Sequence, residues 1–301
     1  MRESDLTRTD HRNRRMSFLA ETTSETQLAT RPLSPSLGAE ILGLDVSRPL
    51  DAATSQAVRD IWHANLVILL RGQNLDEDEQ VAFAECFGPL SRSAVQRPHH
   101  SKKNNAVMFV SNIRENGELI GAHPDGEMHF HTDQCHQEKP CSATMLYAME
   151  IPSEGGNTLF VNGYAAYEAL PDDIKAKIEG RRAINGYDYN HAETRGTVLR
   201  DGIPHASHPI VRTHPVTGRK TLYVNRLMTL FIEGVPADES EDLLLHLFAH
   251  QEQKQFVYEH VWTAGDIVVW DNRCTLHARS DFSAAERRLL RRVTMMGEKP
   301  V

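Results

Sequence analysis

The chain has 301 residues, a formal charge of −8 and 40% hydrophobic side chains, enough to bury a large core in one domain. The negative balance gives no global attraction to nucleic acid, and no apolar stretch is long enough to span a membrane. Cys86, Cys135, Cys141 and Cys274 have neither zinc-type pairing nor a secretory context, so reduced thiols in a cytoplasm are expected.

Residues 1–30 mix Arg2, Arg8, Arg12, Arg14 and Arg15 with Ser, Thr and Asp and lack apolar periodicity. A disordered tail is expected there, followed by one domain over 31–301. No apolar segment follows the arginines, which argues against a signal peptide; Glu3, Asp5 and Asp10 argue against a transit peptide. Met16 is a candidate start in the cell, which would make residues 1–15 extraneous. Asp51 can cap a helix over 51–65, with a buried strand at 66–70. Asp76-Glu-Asp-Glu79 is a capping-box signal for a second helix that Gly88 and Pro89 end. Strands are expected at 106–110, 130–133, 143–149 and 158–161. Pro171 splits two helical stretches, 164–170 and 172–179. The stretch 186–207, rich in His, Asp and Gly, is a candidate lid. Its His191, His205 and His208 read as exposed or locally hydrogen-bonded rather than as ligands.

Segments 209–213 and 221–225 read as a hairpin around Gly218. A capping box at 238–241 opens a helix through His250, with Leu243, Leu244, Leu247 and Phe248 on its buried face. Strands at 267–270 and 289–296 complete a chain that is mainly β with flanking helices. That pattern suits a double-stranded β-helix, the jelly-roll barrel.

The most informative residues are His131, Asp133 and His277. Positions i and i+2 of a strand share a face, so His131 and Asp133 can grip one ion, with His277 arriving from a separate strand. Two imidazoles and a carboxylate are the ligand set of a facial triad holding Fe(II) with three positions open. A lone His-x-Asp is a weak signal, and a hydrogen-bonded pair at a strand end is the plain alternative. His123-Pro-Asp125 is a second match, but Pro124 and Gly126 make it a turn. Cys135 reads as a small packing residue beside the trio. In Arg287-Arg288-Leu-Leu-Arg291-Arg292, strand alternation puts Arg288, Leu290 and Arg292 on one side. Buried arginines there call for an anion, unless the run is a solvated edge strand.

His131-Thr-Asp133, Gly155-Gly-Asn-Thr158, His214-Pro-Val-Thr-Gly218, Trp270-Asp-Asn-Arg-Cys-Thr-Leu-His277 and Arg288 through Arg292 together resemble the taurine dioxygenase (TauD/TfdA) family. So do Leu37-Gly-Ala-Glu-Ile-Leu-Gly-Leu-Asp-Val and Phe87-Gly-Pro-Leu90, so the likeness runs from about residue 30 to the C-terminus. These are Fe(II)- and 2-oxoglutarate-dependent dioxygenases, and the resemblance implies the jelly-roll fold more firmly than periodicity does. It implies His131, Asp133 and His277 as iron ligands, and Thr158 and Arg288 as the grip on the distal carboxylate of 2-oxoglutarate. Arg292 falls near both co-substrate and substrate anion. The implied reaction consumes O2 and 2-oxoglutarate, yields succinate and CO2, and hydroxylates a small organic acid, with release of a heteroatom group where the hydroxylated carbon bears one. The family's habit also implies a homo-oligomer, a dimer or tetramer.

Taurine-specific members have a His soon after the Phe-Gly-x-Leu block, where this chain has Ser91-Arg92-Ser93, and an Asn where it has Glu127. Arg292, Glu127 and Ser93 are therefore the substrate-contact candidates, and a carboxylate fits Arg292 at least as well as a sulfonate. A taurine or alkylsulfonate substrate is the alternative. Two other classes stay open from sequence: a metal-dependent hydrolase or lyase using the triad to activate water, and a silent barrel that binds 2-oxoglutarate.

Overall fold

The computed structural model describes residues 27–92, 96–123, 128–187, 199 and 201–301. Most of the expected tail, the core of the candidate lid, Ser93 and Glu127 lie outside the described residues. The N-terminal part runs β1 (Thr30–Pro32), β2 (Ala39–Ile41), α1 (Ala52–Asn65), β3 (Val67–Leu70) and α2 (Glu77–Ala84). Next come β4 (Met108–Ser111), β5 (Arg114–Glu115), β6 (Glu118–Leu119), β7 (Met128–His131), β8 (Ala143–Glu150) and β9 (Thr158–Asn162). Helices α3 (Gly163–Glu168) and α4 (Asp172–Ile178) precede β10 (Arg182–Gly186), β11 (His205–Pro209), β12 (Val211–Thr213), β13 (Lys220–Leu222) and β14 (Thr229–Ile232). The chain closes with α5 (Ala237–Gln251), β15 (Val257–His260), β16 (Ile267–Asp271), β17 (Thr275–Arg279) and β18 (Leu289–Met295).

Two sheets organise the molecule: a seven-stranded one in the order β1-β2-β3-β16-β8-β18-β4, and a four-stranded one in the order β15-β9-β17-β7. Their pairings are antiparallel apart from β2 with β3. Alternation along the strands sorts side chains into layers. Ile68, Leu70, Met145, Ile267, Val269 and Val293 face outward, against Val58 and Trp62 of α1 and Val81 and Phe83 of α2. Their neighbours Val67, Leu69, Leu146, Val268, Trp270 and Leu290 face inward and meet Phe160 from the smaller sheet. That sheet's outer face, with Val161 and Leu276, packs on Leu244, Leu247 and Phe248 of α5. Both faces of the central strands are covered, which is why β3 and β16 read as unbroken apolar runs in the sequence. Each large apolar side chain buried in these layers stabilises the fold by roughly 1.5–3 kcal/mol.

Local signals performed according to their chemistry. Asp51 accepts from the Thr54 amide at 2.7 Å, and Asp76 with Glu79 forms the full reciprocal capping box. The capping box expected at 238–241 does not form. Pro236 occupies the cap position without a side-chain hydrogen bond, while Asp238 and Glu239 lie inside the first turn. Their charge still suits the positive end of the helix. The hairpin exists as β12 and β13 but is shorter, because residue 209 ends a different strand, β11. The expected strand over 130–133 ends at His131, so Asp133 sits two residues beyond β7.

Candidate functional site

His131 closes β7 directly opposite His277 of β17, with a register shift just after it. The pairing brings the two rings to 4.1 Å, and each imidazole Nε2 lies 3.8 Å from Asp133 Oδ1. The ligand atoms of all three fall within 4.8 Å of one another. Two donors each roughly 2.1 Å from a common ion lie at most about 4.2 Å apart, so the 3.8 Å spacings permit a shared metal. Proton positions agree. The His131 Nδ1 lies 2.9 Å from the His129 carbonyl, which can only accept, so Nδ1 carries the hydrogen and Nε2 presents its lone pair.

The charge states follow from burial and neighbours. Burial pulls the pKa of His131 and of His277 below the ordinary value, so both rings stay neutral. Burial alone would push Asp133 up, but Arg292, His277 and His131 together hold it below the usual carboxylate range. Asp133 Oδ2 accepts from Thr144 Oγ1 at 2.7 Å and from Arg292 Nη2 at 2.8 Å, leaving Oδ1 toward the imidazoles. Neutral nitrogens plus one carboxylate oxygen suit a divalent first-row metal.

The trio lines a cavity of about 340 Å³ that also receives Thr158, Arg279, Arg288 and Arg292. Arg279 on β17 sits across from Thr158 on β9. Arg288, just ahead of β18, is 2% exposed and donates from Nη2 to the Gly156 carbonyl at 3.1 Å. Gly156 has φ +63°, and a Cβ there would fall 3.0 Å from Arg288 Nε, so both the backbone and the close approach require glycine. Burial, aided by Arg279, lowers the Arg288 pKa to about 9, and its Nε has no partner among the described residues. Arg279 and Arg288 flank Phe282 at 5.5 and 5.7 Å. Thr158 Oγ1 accepts from the Trp262 indole at 3.0 Å, which turns its own hydrogen elsewhere. Two guanidinium groups and a hydroxyl on one wall form a seat for a carboxylate.

The structure therefore brings His131, Asp133, His277, Thr158, Arg288 and Arg292 to one cavity. Arg288, Leu290 and Arg292 do share the inner side, while Arg291 turns outward and donates to the Leu75 carbonyl. Cys135 is a packing residue, 1% exposed against Tyr223 and Met228. His205 is exposed and bonds locally to the Ile203 carbonyl as expected, whereas His208, against expectation, is buried with Nε2 2.9 Å from the distant Gln137 carbonyl; His191 lies outside the described residues.

Sequence reasoning missed Arg279, though the i+2 rule applied to His277 would have found it. It also set aside His123, which lines the cavity and whose carbonyl accepts from Arg279 at 2.6 Å; burial and Arg292 lower its pKa to about 4. His136 lines the cavity too, 4.8 Å from the Tyr187 ring, with Nδ1 buried and unpartnered among the described residues. Thr144 carried no signal at all.

The family described as "Taurine catabolism dioxygenase TauD, TfdA family" matches residues 29–294. An alpha-ketoglutarate-dependent 2,4-dichlorophenoxyacetate dioxygenase of Cupriavidus pinatubonensis is 32% identical, covering 91% of this chain and 99% of that one. Pentalenolactone F synthase of Streptomyces avermitilis is 34% identical over 90% of this chain and 94% of its own. The crystal structure of AAD-2 in complex with Mn(II) and N-oxalylglycine superposes with a TM-score of 0.77 at 28% identity, covering 91% of this chain and 98% of that one.

Proposed function

This chain belongs to the taurine catabolism dioxygenase (TauD, TfdA) family and is a 2-oxoglutarate-dependent dioxygenase; from that footing we propose that it uses Fe(II) held by His131, Asp133 and His277 to hydroxylate a small organic acid. The observation that carries the site assignment is the convergence of two imidazole Nε2 atoms on one carboxylate oxygen, beside a buried, anion-seeking arginine. We take the two facing sheets to be the halves of a double-stranded β-helix, within one domain over 31–301.

Bound Fe(II) with 2-oxoglutarate supplies the activation of O2, in which co-substrate and O2 become succinate and CO2 as one substrate C–H becomes C–OH. Where the hydroxylated carbon bears a heteroatom, collapse of the product releases that group. The chain's own part is to bind and orient. Arg288 and Thr158 would take the far carboxylate of 2-oxoglutarate, the first by charge and the second by its free hydroxyl hydrogen. Arg292 shields Asp133 Oδ2 and is the first cation an incoming substrate anion would meet near the metal. Met108, Met128 and Met228 give the cavity a pliable apolar wall that excludes water, while Arg97, His136 and Tyr187 supply polar contacts. A carboxylate on an apolar body fits this lining. Ser93 and Glu127 are retained as substrate-contact proposals. The names of the two relatives point to very different compounds, so the family does not choose the substrate. A sulfonate is the alternative at the same cation.

The test is O2-dependent succinate formation by purified protein with Fe(II), ascorbate and 2-oxoglutarate across carboxylates, sulfonates and amines. Stimulation by a carboxylate is expected. Stimulation by sulfonates alone would select the alternative, and none by any compound would overturn the proposal. A cytoplasmic dimer or tetramer belongs to the same proposal and is checked by fractionation and light scattering. Among the described residues no helix is long and apolar enough to cross a membrane.

A further inference from the structure

We propose that Thr144 and Asn272 are positioning residues that hold Asp133 as a one-oxygen ligand. The inference rests on reading His131, Asp133 and His277 as the metal ligands. Trp270 and Thr144 are paired across β16 and β8, and Asn272 follows two residues after Trp270. The Trp270 indole donates to Asn272 Oδ1 at 2.9 Å, which fixes the amide with its nitrogen toward Thr144. Asn272 Nδ2 then donates to Thr144 Oγ1 at 2.8 Å. A hydroxyl has a single hydrogen, and with its oxygen accepting from Asn272 that hydrogen goes to Asp133 Oδ2, 2.7 Å away.

Donors therefore run in one direction, from indole to amide to hydroxyl to carboxylate. The groups are sealed: Thr144 and Asn272 are 0% exposed and Trp270 1%. Trp270 also lies 4.8 Å from the His277 ring, so the same residue abuts a second ligand. With Oδ2 occupied, only Oδ1 remains toward the two imidazoles, at 3.8 Å from each. A carboxylate that chelated through both oxygens would use a coordination position that co-substrate and O2 need. Arg292 also engages Oδ2, but its side chain is 15% exposed and lines the cavity, where an incoming anion can draw it away. The Thr144 contact faces the protein interior, so it persists when Arg292 turns to substrate. The two contacts are thus not redundant.

The experiment uses the full chain and Co(II) as the probe, reading affinity by calorimetry and ligand geometry by visible absorption. Thr144→Val keeps shape and removes the hydroxyl; it should weaken Co(II) binding by about 10–100-fold and change the spectrum. Thr144→Ser should restore both to near the wild-type values. Should Thr144→Val fail to fold, Asn272→Leu reads the same link from its other side, with the same expected loss. Wild-type affinity and spectrum in these variants would overturn the proposal, as would an equal loss in Thr144→Ser, which would make packing the cause. Asp133→Ala separates the two readings. If it alone loses Co(II), the ligand assignment stands and the positioning role fails; if it too binds normally, the ligand assignment itself fails.

Discussion

Two groups of ligand-type side chains converge among the described residues, and only one is the metal site proposed above. His131, Asp133 and His277 form the first; His214, Asp271 and Cys274 form the second, with atoms equally within 4.8 Å. Hydrogen bonds separate them. His214 Nδ1 accepts from the amides of Val216 and Thr217 at 3.2 and 3.1 Å, so its proton sits on Nε2 and is donated to Asp271 Oδ2 at 3.0 Å. Asp271 further accepts from Arg273 Nε at 2.8 Å and Nη2 at 2.6 Å. Burial pushes the Cys274 thiol well up, so it stays protonated. Both nitrogens of His214 and both oxygens of Asp271 are thus already engaged in hydrogen bonds. At His131 the carbonyl of His129 imposes the opposite tautomer and frees Nε2. Both groups pair a histidine with an aspartate at similar spacing and differ in the third residue, His277 against Cys274, and in the direction of the histidine proton.

The sharpest way to break this contrast is to remove each carboxylate. Asp133→Ala should abolish turnover and cost more metal affinity than the roughly 10–100-fold typical of outer contacts. Retained activity would end the assignment. Asp271→Ala should leave Arg273 and His214 buried without their anion and destabilise the fold by about 3–5 kcal/mol in denaturant unfolding. Its folded fraction should still bind Co(II). Loss of metal from that fraction would mean the two groups are coupled and the contrast is wrong.

What the sequence made legible follows the same division. His131 and Asp133 converge although the strand expected to carry both ends at His131, strand alternation placed Arg288 with Arg292, and the caps at Asp51 and Asp76 formed because their partners lie within three residues. Strand lengths were less legible. Gly186 and His205 are partners in a strand pair whose intervening residues separate them by a long span, and nothing local marks it. Thr144 and Asn272 were hidden for a different reason. Their role depends on which hydroxyl and amide hydrogens point where, across two strands brought together only by the fold.

Arg288 offers a weaker test on the co-substrate side. Hydrogen bonds to a charged group contribute about 1.5–3 kcal/mol, so Arg288→Ala should raise the 2-oxoglutarate requirement by roughly 10–100-fold. The effect should fall on KM more than on kcat, because the contact is made before and during the reaction alike. Arg288→Lys keeps charge but loses the fork, and should recover only part. An unchanged requirement in Arg288→Ala would remove this residue from the co-substrate seat and leave its burial unexplained.

The smallest expected effect comes from a histidine closed by its surroundings. His208 is 1% exposed, and burial lowers its pKa to about 4, against about 6.5 for the unfolded chain. The folded protein thus refuses a proton that the unfolded chain accepts between those values. Stability from this group is complete above pH 6.5 and is lost as pH falls toward 4. His208→Gln cannot titrate, so although its melting temperature at pH 7 should be a few degrees lower, its decline from pH 7 to 5 should be shallower than the wild type's. Parallel declines would mean that His208 takes up its proton without opposition. The contact between His208 Nε2 and the carbonyl of Gln137, four residues beyond Asp133, would then be made equally well by the charged ring.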